Sequence, residues 1–75
     1  MNLRENTSSV KGRVNINLED GRFEVHLENG DNIKASIDRD MKRWSVVIVP
    51  GDIVTVEIHE SYPEKAKIVF RHLQI

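Results

Sequence analysis

Between residues 10 and 37 the chain alternates apolar and polar side chains in three successive runs, the first two ending at a glycine-containing turn. In the first run Val10, Gly12, Val14, Ile16 and Leu18 occupy even positions, with Lys11, Arg13, Asn15 and Asn17 between them. A period of two sends successive side chains to opposite faces, so the pattern predicts a half-buried strand. Gly12 within it predicts a bend or bulge. Glu19-Asp20-Gly21 follows as a turn, since Asp-Gly readily adopts the positive φ that tight hairpins require. The second run, Arg22 to Leu27, places Phe23, Val25 and Leu27 on one face, and by the same parity Phe23 is a core residue. Glu28-Asn29-Gly30-Asp31 then carries the Asn-Gly hairpin signal, and the third run, Asn32 to Ile37, directs Ile33, Ala35 and Ile37 inward. Residues 10–37 therefore predict a three-stranded meander.

The rhythm breaks at Asp38, which predicts an N-cap for a single helical turn through Arg39, Asp40, Met41, Lys42 and Arg43. Val46 to Val49 returns to extended structure, and Pro50-Gly51-Asp52 predicts a turn. Ile53 to His59 is a fourth strand with Val54, Val56 and Ile58 inward. Glu60 to Glu64 is a loop, and Lys65 to Arg71 is a fifth strand with Ala66, Ile68 and Phe70 inward. A meander, a short helical insert and two further strands is the element order of the OB fold, an all-β five-stranded barrel with a short helical turn between strands three and four. An SH3-like barrel also has five short strands but usually carries its insert elsewhere.

At 75 residues the chain has room for one domain, assigned to residues 10–75, with polar residues 1–9 as a flexible arm. The absence of cysteine excludes disulfides and thiolate metal sites. Residues 1–9 lack the apolar core of a signal peptide, and no apolar run approaches bilayer thickness. A cytoplasmic monomer without membrane contact is the expectation. The formal charge of -1 and pI near 6.3 are low for a nucleic-acid binder, so any basic patch must be gathered by folding.

Catalytic and metal chemistry find no support in the motifs. His26, His59 and His72 lack ligand spacing, the serines lack a nucleophile-elbow context, and no glycine-rich phosphate loop is present. Neither an enzyme nor a cofactor is expected.

Five blocks are nevertheless distinctive in their order and spacing. They are Val10-Lys11-Gly12, Phe23 to Gly30, Met41-Lys42-Arg43, Gly51 to Glu57, and Lys65 to Arg71. Together they resemble bacterial-type translation initiation factor one, over Val10 to Arg71 without an obvious gap. The resemblance implies an RNA-binding OB-fold initiation factor without catalytic activity. It would act at the decoding A site of the small ribosomal subunit, contacting ribosomal RNA and a ribosomal protein alongside other initiation factors. The chain departs from the family pattern at Asp40, where a lysine is usual, at Ser45, where a tyrosine is usual, and at Val47, where an arginine is usual.

The resemblance assigns RNA contact to Lys42 and Arg43, which match the family's basic pair, and to Lys65, Lys67 and Arg71. Trp44 joins them either as a base-stacking aromatic or as a lid on the barrel. Lys42 and Arg43 would otherwise simply keep a surface turn solvated. Lys11, Arg13, Arg22 and Lys34 lie on outward faces and could extend a basic surface, although Glu24 and Asp31 lie near them. With Phe23 inward, strand two offers no exposed aromatic for stacking. The alternative function is a protein-interaction module, or a paralogue with weakened RNA binding.

Overall fold

The computed structural model describes residues 6–73. Its elements are β1 (Thr7–Asn17), β2 (Arg22–Leu27), β3 (Asn32–Ile37), α1 (Arg39–Arg43), β4 (Ile53–His59) and β5 (Tyr62–His72). The strands close into a barrel in the order β1-β2-β3-β5-β4. Every neighbouring pair is antiparallel except β3 and β5, which run parallel through Ser36 opposite Lys67 and Ile37 opposite Ile68. A backbone bond from Asp38 N–H to the Ile68 carbonyl, 2.9 Å, extends that seam into α1.

β1 begins at Thr7, within the segment expected as an arm. Thr7, Ser8 and Ser9 pair with His59, Ile58 and Glu57 of β4, while residues 1–5 lie outside the described residues. Backbone pairing accounts for the difference, because strand partners satisfy main-chain groups whether or not the side chains alternate. β5 likewise starts at Tyr62, within the expected loop, since His59 pairs with Tyr62. The β4–β5 register then slips before Glu57 meets Lys67, across a stretch containing Pro63, which has no N–H to give the ladder.

Both meander hairpins use one geometry. Leu18 N–H donates to the Arg22 carbonyl and Leu27 N–H to the Asp31 carbonyl, each at 2.8 Å, closing three-residue loops whose last member is Gly21 or Gly30. Those glycines have φ of 82° and 96°, where a Cβ would be strained. The Asn29 side-chain carbonyl also accepts from Asp31 N–H at 3.0 Å.

The core is the apolar face of the strands: Val14, Phe23, Val25, Leu27, Ala35, Val54, Val56, Ala66 and Ile68, joined by Ile48 from the α1–β4 connection. No polar or charged residue is wholly buried among the described residues, although His59 Nε2 is shielded from solvent without a hydrogen-bond partner. Two inward expectations fail, for one reason. The β1–β2 register shifts between Val14 and Ile16, and the β4–β5 register shifts so that Val56 faces Ile68 while Thr55 faces Phe70. One extra residue on one strand reverses the side-chain parity beyond it. Ile16 and Phe70 are therefore outward, 51% and 56% exposed.

Gly12 is not at either shift. A Cβ there would lie 2.7 Å from the His26 carbonyl oxygen and 2.7 Å from Val25 Cγ1, so glycine permits the close approach of β1 and β2.

Candidate nucleic-acid interface

The connection from β3 to β4 is built around α1, one short helical turn. Asp38 is its N-cap, with extended backbone and a carboxylate that accepts from Asp40 N–H at 3.2 Å. Asp40 lies in the first turn and Lys42 and Arg43 in the last, so these three charges complement the helix dipole, while Arg39 at the first position opposes it. Asp40 thus sits where a helix favours negative charge.

The helix ends in a Schellman motif. Ser45 N–H donates to the Lys42 carbonyl at 3.1 Å and Val46 N–H to the Met41 carbonyl at 3.2 Å, with Ser45 at φ 56°. This left-handed position usually belongs to glycine. Met41 and Val46, the residues that commonly make the accompanying apolar contact, are both half-buried against the core.

Beyond the motif, Val46 to Val49, expected to be extended, lies outside the five strands. Ile48 is buried in the core and Val46 packs half-buried against it, while Val47 and Val49 face solvent. Burying Ile48 contributes roughly 1.5–3 kcal/mol, enough to pin an otherwise irregular connection. The Val49–Asp52 turn then closes as expected, with Asp52 N–H donating to the Val49 carbonyl at 3.1 Å and the Asp52 carboxylate accepting from Val49 N–H at 3.0 Å.

These supports present Lys42, Arg43 and Trp44 to solvent. Trp44 is 78% exposed, which removes its reading as a lid on the barrel. Arg71 is half-buried and donates from Nη1 to the Val47 carbonyl at 2.7 Å, strapping the connection to β5. Met41, Val46, Val47, Val69, Phe70 and Leu73 line an open, largely apolar groove of about 500 Å³ between the connection and the end of β5.

The expected basic residues are only partly gathered. Lys42, Arg43 and Trp44 share one projection with Arg71 beneath the connection that follows them. Lys67 stands outward on β5, opposite Glu57 on β4 and Ser36 on β3. Lys65 lies towards the β4–β5 hairpin, its Nζ 5.2 Å from the centre of the Tyr62 ring. At the rise of an extended strand, Lys65 is roughly 20 Å from Arg71 along β5.

Phe70 is the exposed aromatic that strand parity concealed. Its sequence signal is the adjacent apolar run Ile68-Val69-Phe70, which cannot keep strict alternation. Across the β2 hairpin, Asp20 and Arg22 form an exposed pair, with Arg22 Nε and Nη2 each 3.0 Å from Asp20 Oδ2. The guanidinium hydrogen bond holds the Asp20 carboxyl below its ordinary value. Among the described residues no helix is long and apolar enough to cross a membrane, and no three His, Asp or Glu side chains gather as metal ligands would.

A closed barrel with this strand order and a helix between β3 and β4 is an OB fold, a class that takes oligonucleotides and oligosaccharides. The pattern of the family described as Translation initiation factor 1A / IF-1 matches residues 1–75, and the chain belongs to that family of protein-biosynthesis factors. Among solved structures it is similar to the solution structure of translation initiation factor one from the Wolbachia endosymbiont strain TRS of Brugia malayi. The two share 27% sequence identity at a TM-score of 0.77, over 95% of this chain and 83% of that one.

Proposed function

We propose that this initiation factor binds ribosomal RNA at the decoding A site of the small ribosomal subunit in the cytoplasm, with α1 as its leading contact. The observation that carries the reading is the solvent-facing Lys42-Arg43-Trp44 projection, held by the Asp38 cap, the buried Ile48 and the Arg71 strap. Two cations with an exposed indole can neutralise phosphates and stack on a base. Lys67 and Lys65 extend the contact along β5, and Arg71 supports it by positioning the connection. A ribosomal protein of the small subunit and other initiation factors are the neighbouring partners, and the work is binding without catalysis.

The test is binding to purified small subunits across a salt series. Lys42→Ala with Arg43→Ala should weaken binding and flatten the slope of log affinity against log salt by about 2, one unit per lost phosphate contact. No binding of the unsubstituted protein even at low salt would overturn the reading. A second reading, a protein-interaction module, is favoured by the apolar groove under Val47. Salt-insensitive capture of a protein partner through that groove would support it.

A further inference from the structure

Two cations on the barrel's outer surface stand opposite carboxylates. Lys34 faces Glu24 across the β2–β3 ladder, and Lys67 faces Glu57 across the β4–β5 ladder. Two neighbouring rungs place cations without a carboxylate opposite them. One runs Phe70, Thr55, Lys11 across β5, β4 and β1; the next runs His72, Ile53, Arg13, His26, Asn32 across all five strands. Arg13 is therefore flanked by an isoleucine and a histidine. Lys11 is flanked by Thr55 and, past the end of β2, by Glu28, whose N–H donates to the Lys11 carbonyl at 2.9 Å. Arg22–Asp20 is the one ion pair among the described residues, so Lys11, Arg13, Lys34 and Lys67 are all without one; Lys11 and Arg13 differ in having no carboxylate directly opposite on a neighbouring strand.

The rungs are ordered and shaped. His72 Nε2 lies 2.8 Å from Thr55 Oγ1, and His26 Nδ1 lies 2.9 Å from the Asn32 side-chain oxygen. The Phe70 and His72 rings meet edge-on at 4.8 Å, yet Phe70 keeps 56% of its surface open. A groove of about 240 Å³ runs beside Lys11, Arg13, His26, Glu28 and Ile53. Phe70 stands two strand spacings from Lys11, roughly 10 Å, so a base on the ring leaves neighbouring phosphates within reach of both long cationic side chains.

We propose that this outer face of β1, β4 and β5 is a second binding surface for single-stranded RNA, with Phe70 stacking a base and Arg13 and Lys11 holding the adjoining phosphates. An aromatic beside unpaired cations is the chemistry of sequence-tolerant single-strand binding. Glu28, the carboxylate bordering the groove, opposes it. The surface stands on residues other than the α1 projection, so the decoding-site reading and this one can fail separately.

The probe is fluorescently labelled single-stranded hexauridylate, followed by anisotropy at low salt, with thermal melting showing that each variant folds. Phe70→Leu keeps apolar area but removes the ring and should weaken binding about tenfold. Lys11→Gln with Arg13→Gln should flatten the salt slope by about 1.4, the value for two phosphate contacts on a single strand. Glu28→Gln should tighten binding, Lys34→Gln should leave it unchanged, and amide shifts should move at Lys11–Arg13 and Phe70–His72. Absence of hexauridylate binding by the unsubstituted protein, binding by the Phe70 and Lys11/Arg13 variants equal to the parent's, or shifts confined to Met41–Trp44 would each overturn the proposal. Unsubstituted protein that binds small subunits but not hexauridylate refutes this surface alone, and the reverse outcome refutes the decoding-site reading alone.

Discussion

Gly12→Ala should destabilise the barrel although it adds only a methyl group to a strand. The new Cβ would sit 2.7 Å from the His26 carbonyl oxygen, 2.7 Å from Val25 Cγ1 and 3.1 Å from Leu27 Cδ2. Val25 and Leu27 are fully buried in the core, and the carbonyl belongs to β2, so relief requires the β1–β2 ladder to spread. Overpacking of this kind costs about 1–3 kcal/mol, and contact with backbone selects the upper end. Replacing glycine restricts the unfolded chain and returns about 0.4–1 kcal/mol. The net loss is about 2 kcal/mol, which for a domain of this size lowers Tm by about 8–16 °C. Thermal melting followed by circular dichroism, with Lys11→Ala as the outward-facing control, measures it. A Tm within about 3 °C of the parent would refute the steric argument, because it would show that the two strands separate at little cost.

Ser45→Gly should raise stability by about 0.5–1 kcal/mol: the left-handed residue loses its Cβ penalty of about 1–2 kcal/mol, partly offset by a freer unfolded chain. A higher urea midpoint with an unchanged m-value is the expected result, and no gain would count against the Schellman geometry at φ 56°. Arg22→Ala should return the Asp20 carboxyl upwards towards its ordinary value, read by NMR titration of the side-chain carbonyl. Because the folded carboxyl is depressed, the pair's contribution is present above the unfolded value and is lost as pH falls through the folded one. Asp20 is fully exposed, so the titration rather than the melting curve is the sensitive readout.

How much was legible before folding follows from the range of each signal. The strands could be read because alternation and turn chemistry act between near neighbours, and Asp38 could be read as a cap because its bond reaches only to Asp40. Ile16 and Phe70 were misplaced because each follows a register shift, and a shift is a property of two strands together. Val47 and Arg71 carry no local sign of their bond, which spans 24 residues. The same holds for Ile48, indistinguishable in sequence from the Val47 and Val49 beside it, yet alone in the core.

Gly12 illustrates the division most sharply. As a glycine among alternating residues it announced that the strand was special there, and local chemistry suggested a bulge. The bulge lies past Val14, and the reason for Gly12 is the His26 backbone brought against it by β2. Local periodicity and turn preference therefore determined that five strands and one capped helical turn form, in order. Barrel closure decided which faces point outward, which cations find carboxylates opposite them, and that Phe70 shares a surface rung with Thr55 and Lys11. Those relations depend on strands distant in sequence meeting at a register that short-range preferences do not encode.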